Sequence, residues 1–156
     1  MFDDVRFSVS MNKVAYEVDA IDGAWNTDTE YESGNLGFRG GVKGGYFPVN
    51  PTDHGQDMRS EMLSTMKQIG MKVDKHHHEV ASNQHELGLI FSSLKKQADE
   101  LQKYKYVIHN VANAYGRSAT FMPKPMKGDN GTGMHVNMSI WKDGKPVFAS
   151  DKYADL

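Results

Sequence analysis

Apolar and polar residues alternate at the start of this chain, recur every three or four positions in its middle, and alternate again near its end. Val5, Phe7 and Val9 fall on one side of a strand, and Val14, Tyr16 and Val18 on one side of another. These are short strands of an antiparallel or mixed sheet. From Asp22 to Asn50 glycines are dense and aromatics are scattered at Trp25, Tyr31, Phe38, Tyr46 and Phe47, which reads as a long loop anchored by its rings, or as a mobile linker. Met58, Met62, Met66 and Ile69 then share one face of a helix expected over roughly 53–69, and Gly70 is its natural stop. That methionine stripe is core packing. A second helix is expected over roughly 94–115, with Leu94, Ala98, Leu101, Ile108, Ala112 and Tyr115 as its apolar stripe and Gly116 as its end. Lys95, Lys96, Asp99, Glu100, Lys103 and Lys105 read as its wetter sides. After Gly133 strict alternation puts His135, Asn137 and Ser139 on one face of a half-buried strand and Met134, Val136, Met138 and Ile140 on the other.

At 156 residues the chain fits one ordinary domain with a modest core. Eighteen basic residues against 20 acidic ones give a net charge of -2. With no basic run, a nucleic-acid partner is disfavoured. The chain has no cysteine, so any metal must be held by oxygen and nitrogen ligands. No signal peptide and no long apolar run stand out, which leads to the expectation of a cytoplasmic protein without membrane association. The opening Met1-Phe2-Asp3-Asp4-Val5-Arg6-Phe7 is already in alternation and Ala154-Asp155-Leu156 follows no closing element, so a piece of a longer polypeptide is expected.

Two segments add chemistry to this pattern. His76-His77-His78-Glu79-Val80-Ala81-Ser82-Asn83-Gln84-His85-Glu86 reads as a hairpin with Ser82-Asn83 as its loop, which sets Glu79 opposite Glu86 and Val80 opposite His85. Directly opposed side chains share a face, so the carboxylates would stand roughly 5 Å apart and repel each other unless a cation lies between them. Mg2+ or Mn2+ suits such a pair, because these ions favour oxygen ligands. His77 would share that face, and His76 and His78 would point to the other. A helical reading also puts Glu79 and Glu86 on one face, farther apart, and a solvated charged surface accounts for the cluster equally well. The second segment, Lys124 to Ser139, contains the turn Asp129-Asn130-Gly131-Thr132-Gly133 followed by the strand with imidazole, amide and hydroxyl on one face. Such a turn can bring backbone donors to a ligand. It lacks the glycine-lysine-hydroxyl ending of a Walker phosphate loop.

Taken together these motifs closely resemble bacterial-type glutamine synthetase. The resemblance runs through Glu17 to Gly37, Val42-Lys43-Gly44-Gly45-Tyr46-Phe47-Pro48-Val49, Gln56-Asp57-Met58-Arg59-Ser60-Glu61-Met62, His76 to Glu86, Tyr104 to Asn110, and Ala119 to Ser139. It implies an α+β fold, a curved and mainly antiparallel sheet with packed helices, forming part of the glutamine synthetase catalytic domain. It also implies ligation of ammonia to L-glutamate at the expense of ATP, through γ-glutamyl phosphate. By resemblance Glu79 and Glu86 ligate the metal nearer glutamate and ammonia, and His135 ligates the metal near the nucleotide phosphates. Asn130 and Gly131 correspond to the glutamate-binding turn, with Tyr46 shaping substrate access. Ser139 and Asn137 correspond to ATP-contacting positions, Phe91 to an aromatic bordering adenine, and His78 to a phosphate contact.

Two departures from the family pattern stand out. Many members carry histidine where this chain has Asn137, and the segment between the two glutamates is one residue shorter than in some. The resemblance further implies a homododecamer of two hexameric rings. It implies an amino-terminal β-grasp-like domain, an upstream acidic pair, and downstream arginine and glutamate residues, none of which is assigned in these 156 residues. The isolated span is accordingly expected to be an inactive nucleotide- and metal-binding piece of an active parent, or a structural assembly fragment of it.

Overall fold

The computed structural model describes residues 4–16, as a strand, together with residues 43–81 and 83–149. Val18, the loop aromatics Trp25, Tyr31 and Phe38, the resembling segment Glu17 to Gly37, and Ser82 of the expected turn lie outside the described residues, as do the side chains of residues 4–16.

Strands β1 (Asp4–Tyr16), β2 (Val73–His78), β3 (Gln84–Leu89), β4 (Ser92–Ser93), β5 (His135–Lys142) and β6 (Lys145–Pro146) form one sheet, and helices α1 (Gln56–Gln68) and α2 (Leu94–Ala114) pack against it. The order is β2-β3-β1-β5-β6, with β4 beside β1, and every described pairing is antiparallel. This is the expected α+β class. The two short strands anticipated at the start are a single strand, β1. Its register against β3 shifts between Met11 and Ala15, so that three residues stand opposite Glu86 alone. A shift of two residues leaves the alternation of the paired strands unchanged.

The helices end where glycine allows. At α1, Gly70 adopts φ 84°, Met71 N–H donates to Met66 O at 3.0 Å and Gly70 N–H to Lys67 O at 3.0 Å. At α2, Gly116 adopts φ 70°, with Arg117 N–H on Ala112 O at 2.9 Å and Gly116 N–H on Asn113 O at 3.0 Å. Both are Schellman stops, which satisfy carbonyls that a helix end otherwise leaves bare.

Met58, Met62 and Met66 of α1 meet Leu87 and Leu89 of β3 and Tyr104, Val107, Ile108, Val111 and Ala112 of α2 in one core. Tyr104 is fully buried, and its hydroxyl donates to Leu87 O at 3.1 Å. The buried stripe of α2 matches the expected one at Ile108 and Ala112, with Leu101 partly buried against the core, and differs elsewhere. Leu94, Ala98 and Tyr115 are exposed, whereas Gln97, Glu100 and Tyr104 face inward, Glu100 with 4% of its surface accessible. Positions 97, 100, 104, 107 and 111 are themselves a three-four helical stripe, and the bulky Tyr104 ring selects it over the smaller alanines. The helices cover the β2-β3-β1 part of the sheet. Beyond it, Val136 and Met138 of β5 are 48% and 47% exposed, so the expected half-buried face of that strand is open among the described residues.

Candidate functional site

The β2-β3 hairpin carries most of the chemistry, in a register different from the expected one. His77 stands opposite Glu86 and His78 opposite His85, and the chain turns between Glu79 and Gln84, where Glu79 N–H donates to Gln84 O at 2.6 Å. Glu79 therefore does not oppose Glu86 across a two-residue Ser82-Asn83 loop. Serine-asparagine is a poor two-residue turn. In the wider turn Asn83 takes φ 57°, while Glu79 Oε2 accepts the Val80 N–H at 2.9 Å. A displacement of two residues leaves every side chain on its original face. The two carboxylates thus still share a face, now diagonally, with His77 between them.

His77 Nε2 lies 3.4 Å from Glu79 Oε1 and 3.5 Å from Glu86 Oε2. Ligand atoms of all three residues fall within 4.8 Å of one another, and Glu79 and Glu86 are only 6% and 7% exposed. Phe47 stacks on the His77 ring at 4.2 Å, and Tyr46 meets that ring edge-on at 5.8 Å. The aromatic pair is fixed to the hairpin by Gly45 N–H on Val80 O at 3.1 Å and Phe47 N–H on His78 O at 3.2 Å. Burial pushes the His77 pKa below its ordinary value of 6.5, although the Glu79 carboxylate pulls the other way. The imidazole is therefore neutral at pH 7 and leaves the charge of the carboxylates in place. The donor set fits a hard divalent cation: two carboxylates and one neutral imidazole, aimed at a common point, with His77 Nδ1 buried and unpartnered behind it.

The opposite face of the hairpin meets α1. Arg59, almost wholly buried, donates from Nε to His76 Nδ1 at 3.2 Å, lies with Nη1 2.8 Å from His85 Nδ1, and pairs through Nη2 with Asp53 Oδ2. His78 also lies here, its ring edge-on to His85 at 4.9 Å and its Nδ1 donating to Glu79 O at 2.7 Å. His78 is thus on the face away from the Glu79-Glu86 cluster, as alternation requires.

The remaining expected residues line the same face as the carboxylates. Ser10 of β1 pairs on one side with Gly88 and on the other with His135. Paired residues share a face, so His135, Asn137 and Ser139 lie on the Glu86 side of the sheet, His135 two strands and about 10 Å across from Gly88. His135 does not join the three-residue cluster. Phe91, half exposed, precedes Ser92, which pairs with Phe7, which in turn pairs with Met138. Phe91 is therefore at the level of Asn137, about 13 Å along the strands from Glu86, with Ser139 farther out at about 20 Å. At the other end, the Asn130-Gly131 turn closes on the hairpin through Gln84. Within it Asn130 N–H donates to Asp129 Oδ1 at 2.8 Å, Lys124 Nζ donates to Asp129 O, and Thr132 N–H donates to Pro123 O at 2.7 Å.

Sequence reasoning placed His77 on the right face without assigning it a ligand role, and gave no role to Gln84, Phe47 or Arg59. Gln84 carried a signal, since it lies two residues before Glu86 and alternation puts both on one face.

Comparison with known proteins identifies the family and the fold. The family described as glutamine synthetase, catalytic domain, matches residues 1–156. The chain belongs to that family. The glutamine synthetase of Rhodobacter capsulatus is 74% identical over all 156 residues, and that of Salmonella typhimurium is 56% identical over 157 aligned positions. A cryo-EM structure of Plasmodium falciparum glutamine synthetase superposes on 97% of the chain with a TM-score of 0.79 at 25% identity. Apo GmaS superposes on 96% with a TM-score of 0.72 at 22% identity, a likeness of fold. The chain spans 36% and 34% of the two bacterial synthetases and 33% of each solved chain, about a third of the length of its relatives. Among the described residues, no helix is long and apolar enough to cross a membrane.

Proposed function

We propose that the full-length protein carrying this span synthesises L-glutamine from L-glutamate, ammonia and ATP, and that the span supplies part of the active site. The observation that carries the reading is the convergence of His77, Glu79 and Glu86 on one face of a hairpin in a chain matched throughout by the synthetase catalytic family. In the reaction, a γ-carboxylate oxygen of glutamate attacks the γ-phosphorus of ATP and ADP leaves. Ammonia then attacks the acyl carbon of γ-glutamyl phosphate, the C–O bond to phosphate breaks, and one proton is released. Both reactants of the first step are anions. A bound Mg2+ or Mn2+ offsets their repulsion by Lewis-acid polarisation.

Glu79 and Glu86, with His77 beside them, would hold one such ion, and His135 would ligate a second. Asn130 and Gly131 orient glutamate at the end of the sheet where the carboxylates lie. Asn137, Ser139 and Phe91 receive the nucleotide at the other, with Asn137 hydrogen-bonding neutrally where many relatives present an imidazole. Tyr46, over the cluster with Phe47, restricts water and shapes entry. A phosphate contact from His78 requires approach from the hairpin edge, because its ring faces α1. The working form is a cytoplasmic homododecamer of two hexameric rings, to which the rest of the protein contributes, and the isolated span is inactive.

The test is metal-dependent glutamine formation by the full-length protein, its Glu86→Ala variant and the 156-residue chain alone. Activity in the first and a loss of at least about a hundredfold in the second are expected, the size typical of removing one electrostatic stabiliser. A metal-loaded full-length protein without activity, or an Glu86→Ala variant as active as wild type, overturns the reading.

A further inference from the structure

The hairpin with the carboxylates and the turn with Asn130 and Gly131 are separate in sequence by more than forty residues, and one side chain, that of Gln84, bonds to both. Gln84 is completely buried. Its Oε1 accepts the Ala81 N–H at 3.3 Å, inside the hairpin turn. Its Nε2 donates to Gly131 O at 3.0 Å and to Thr132 Oγ1 at 3.3 Å. Both amide protons are used on the turn and the carbonyl is used on the hairpin, so neither the flipped amide nor any shorter side chain satisfies the same groups. The backbone of Gln84 is fixed as well, with its N–H on Ala81 O at 3.2 Å and its carbonyl accepting from Glu79 N–H at 2.6 Å. Glu79 and Glu86 are thus tied to Gln84 by a hydrogen bond on one side and by two residues of strand on the other.

We propose that Gln84 is a positioning residue that sets the Asn130-Gly131 turn at a fixed distance from the Glu79-Glu86 cluster, and so aligns glutamate with the ion held there. The inference rests on the reading given under Proposed function and adds to it a residue that touches neither substrate nor metal. Buried amide bonds of this kind hold geometry, and their loss leaves Gly131 O and Thr132 Oγ1 without the donor that orients them. The turn then relaxes relative to the hairpin. Binding of glutamate weakens, while Asn137 and Ser139 on β5, about 13 and 20 Å along the strands from Glu86, keep their places.

The experiment is steady-state kinetics on the full-length enzyme with Gln84→Met, which keeps side-chain length and removes the hydrogen bonds. The glutamate KM is expected to rise about tenfold, the loss of roughly two net hydrogen bonds to the turn, with the ATP KM and the Mn2+ activation constant changed less than about threefold. Combined with Asn130→Ala, the effect on glutamate KM is expected to be less than the product of the single effects, since one variant acts through the group the other removes. Should Gln84→Met fail to assemble, Thr132→Val removes a single acceptor from a half-buried residue and is expected to raise glutamate KM about threefold. Unchanged glutamate KM, or a parallel shift in all three constants with a lowered melting temperature, overturns the proposal. Failure of the wild-type protein to form glutamine overturns the underlying reading and this inference with it, whereas activity with unaltered glutamate KM overturns the inference alone.

Discussion

Arg59 shows what holds the site from behind. A guanidinium only donates, so the Nδ1 atoms of His76 and His85 accept, and each imidazole carries its proton on Nε2. For His76 that proton goes to Ser60 Oγ at 3.1 Å. Burial first, and then the neighbouring His78 and Arg59, hold the His85 pKa well below its ordinary value. Both rings therefore stay neutral beside a fixed cation, and the only anion that meets Arg59 among the described contacts is Asp53. Removing one partner of such a buried pair leaves the other charged and desolvated, which costs about 3–5 kcal/mol. Arg59→Leu is expected to lower unfolding free energy by that amount in urea titrations. Arg59→Leu combined with Asp53→Leu is expected to cost clearly less than the single change, because no orphan charge remains. Equal losses in the two variants would mean that packing by the long side chain, and not the ion pair, is what Arg59 contributes.

At the level of elements, the hairpin concentrates histidines whose pKa values all move one way. Burial is the first cause of the lowered values at His76, His77, His78 and His85. In the unfolded chain these groups take up protons near pH 6.5, whereas in the folded hairpin they resist until lower pH. The unfolded state thus binds more protons between 6.5 and the folded values. Stability is then full above about pH 6.5 and falls as pH drops below it, by up to about 1.4 kcal/mol per pH unit for each histidine that refuses its proton. Urea midpoints measured in EDTA at pH 7.5, 6.5 and 5.5 are expected to fall less over the first interval than over the second. A midpoint that rises on acidification would contradict the burial of these rings. The same hairpin marks how far sequence reaches. The ends of α1 and α2 and the start of α2 were legible within a residue, and the start of α1 within three, because glycine stops and three-four periodicity act locally. The hairpin register was not, because a displacement of two residues keeps every side chain on its face and leaves the alternation unchanged. Nor was the inward turn of Gln97 and Glu100, which depends on where Tyr104 finds the core.

Across the whole molecule, the sheet orders the chemistry along its strands: the carboxylates and the Asn130-Gly131 turn at one end, His135 beside them across β1, and Asn137, Ser139 and Phe91 at the other. The family and the carboxylate face were readable from the motifs, but this order depends on strand pairing through β1, a long-range contact with no local signal. The arrangement has a thermodynamic cost. Two buried carboxylates and a neutral imidazole share one pocket, and like charges so placed raise the free energy of the empty fold. Ion binding converts that cost into stability by mass action, about 2.7 kcal/mol when the free ion is a hundredfold above its dissociation constant. Glutamine at both positions removes the repulsion together with the ion's ligands. In the full-length protein, Mn2+ is therefore expected to raise the melting temperature of the wild type and EDTA to reverse it. The Glu79→Gln, Glu86→Gln double variant is expected to melt in EDTA no lower than the wild type and to gain little from Mn2+, so that the order of the two proteins inverts as the ion is added. A variant that melts far below the wild type in EDTA would assign the carboxylates to the architecture of the hairpin, and one that still gains the full increment would place the ion elsewhere.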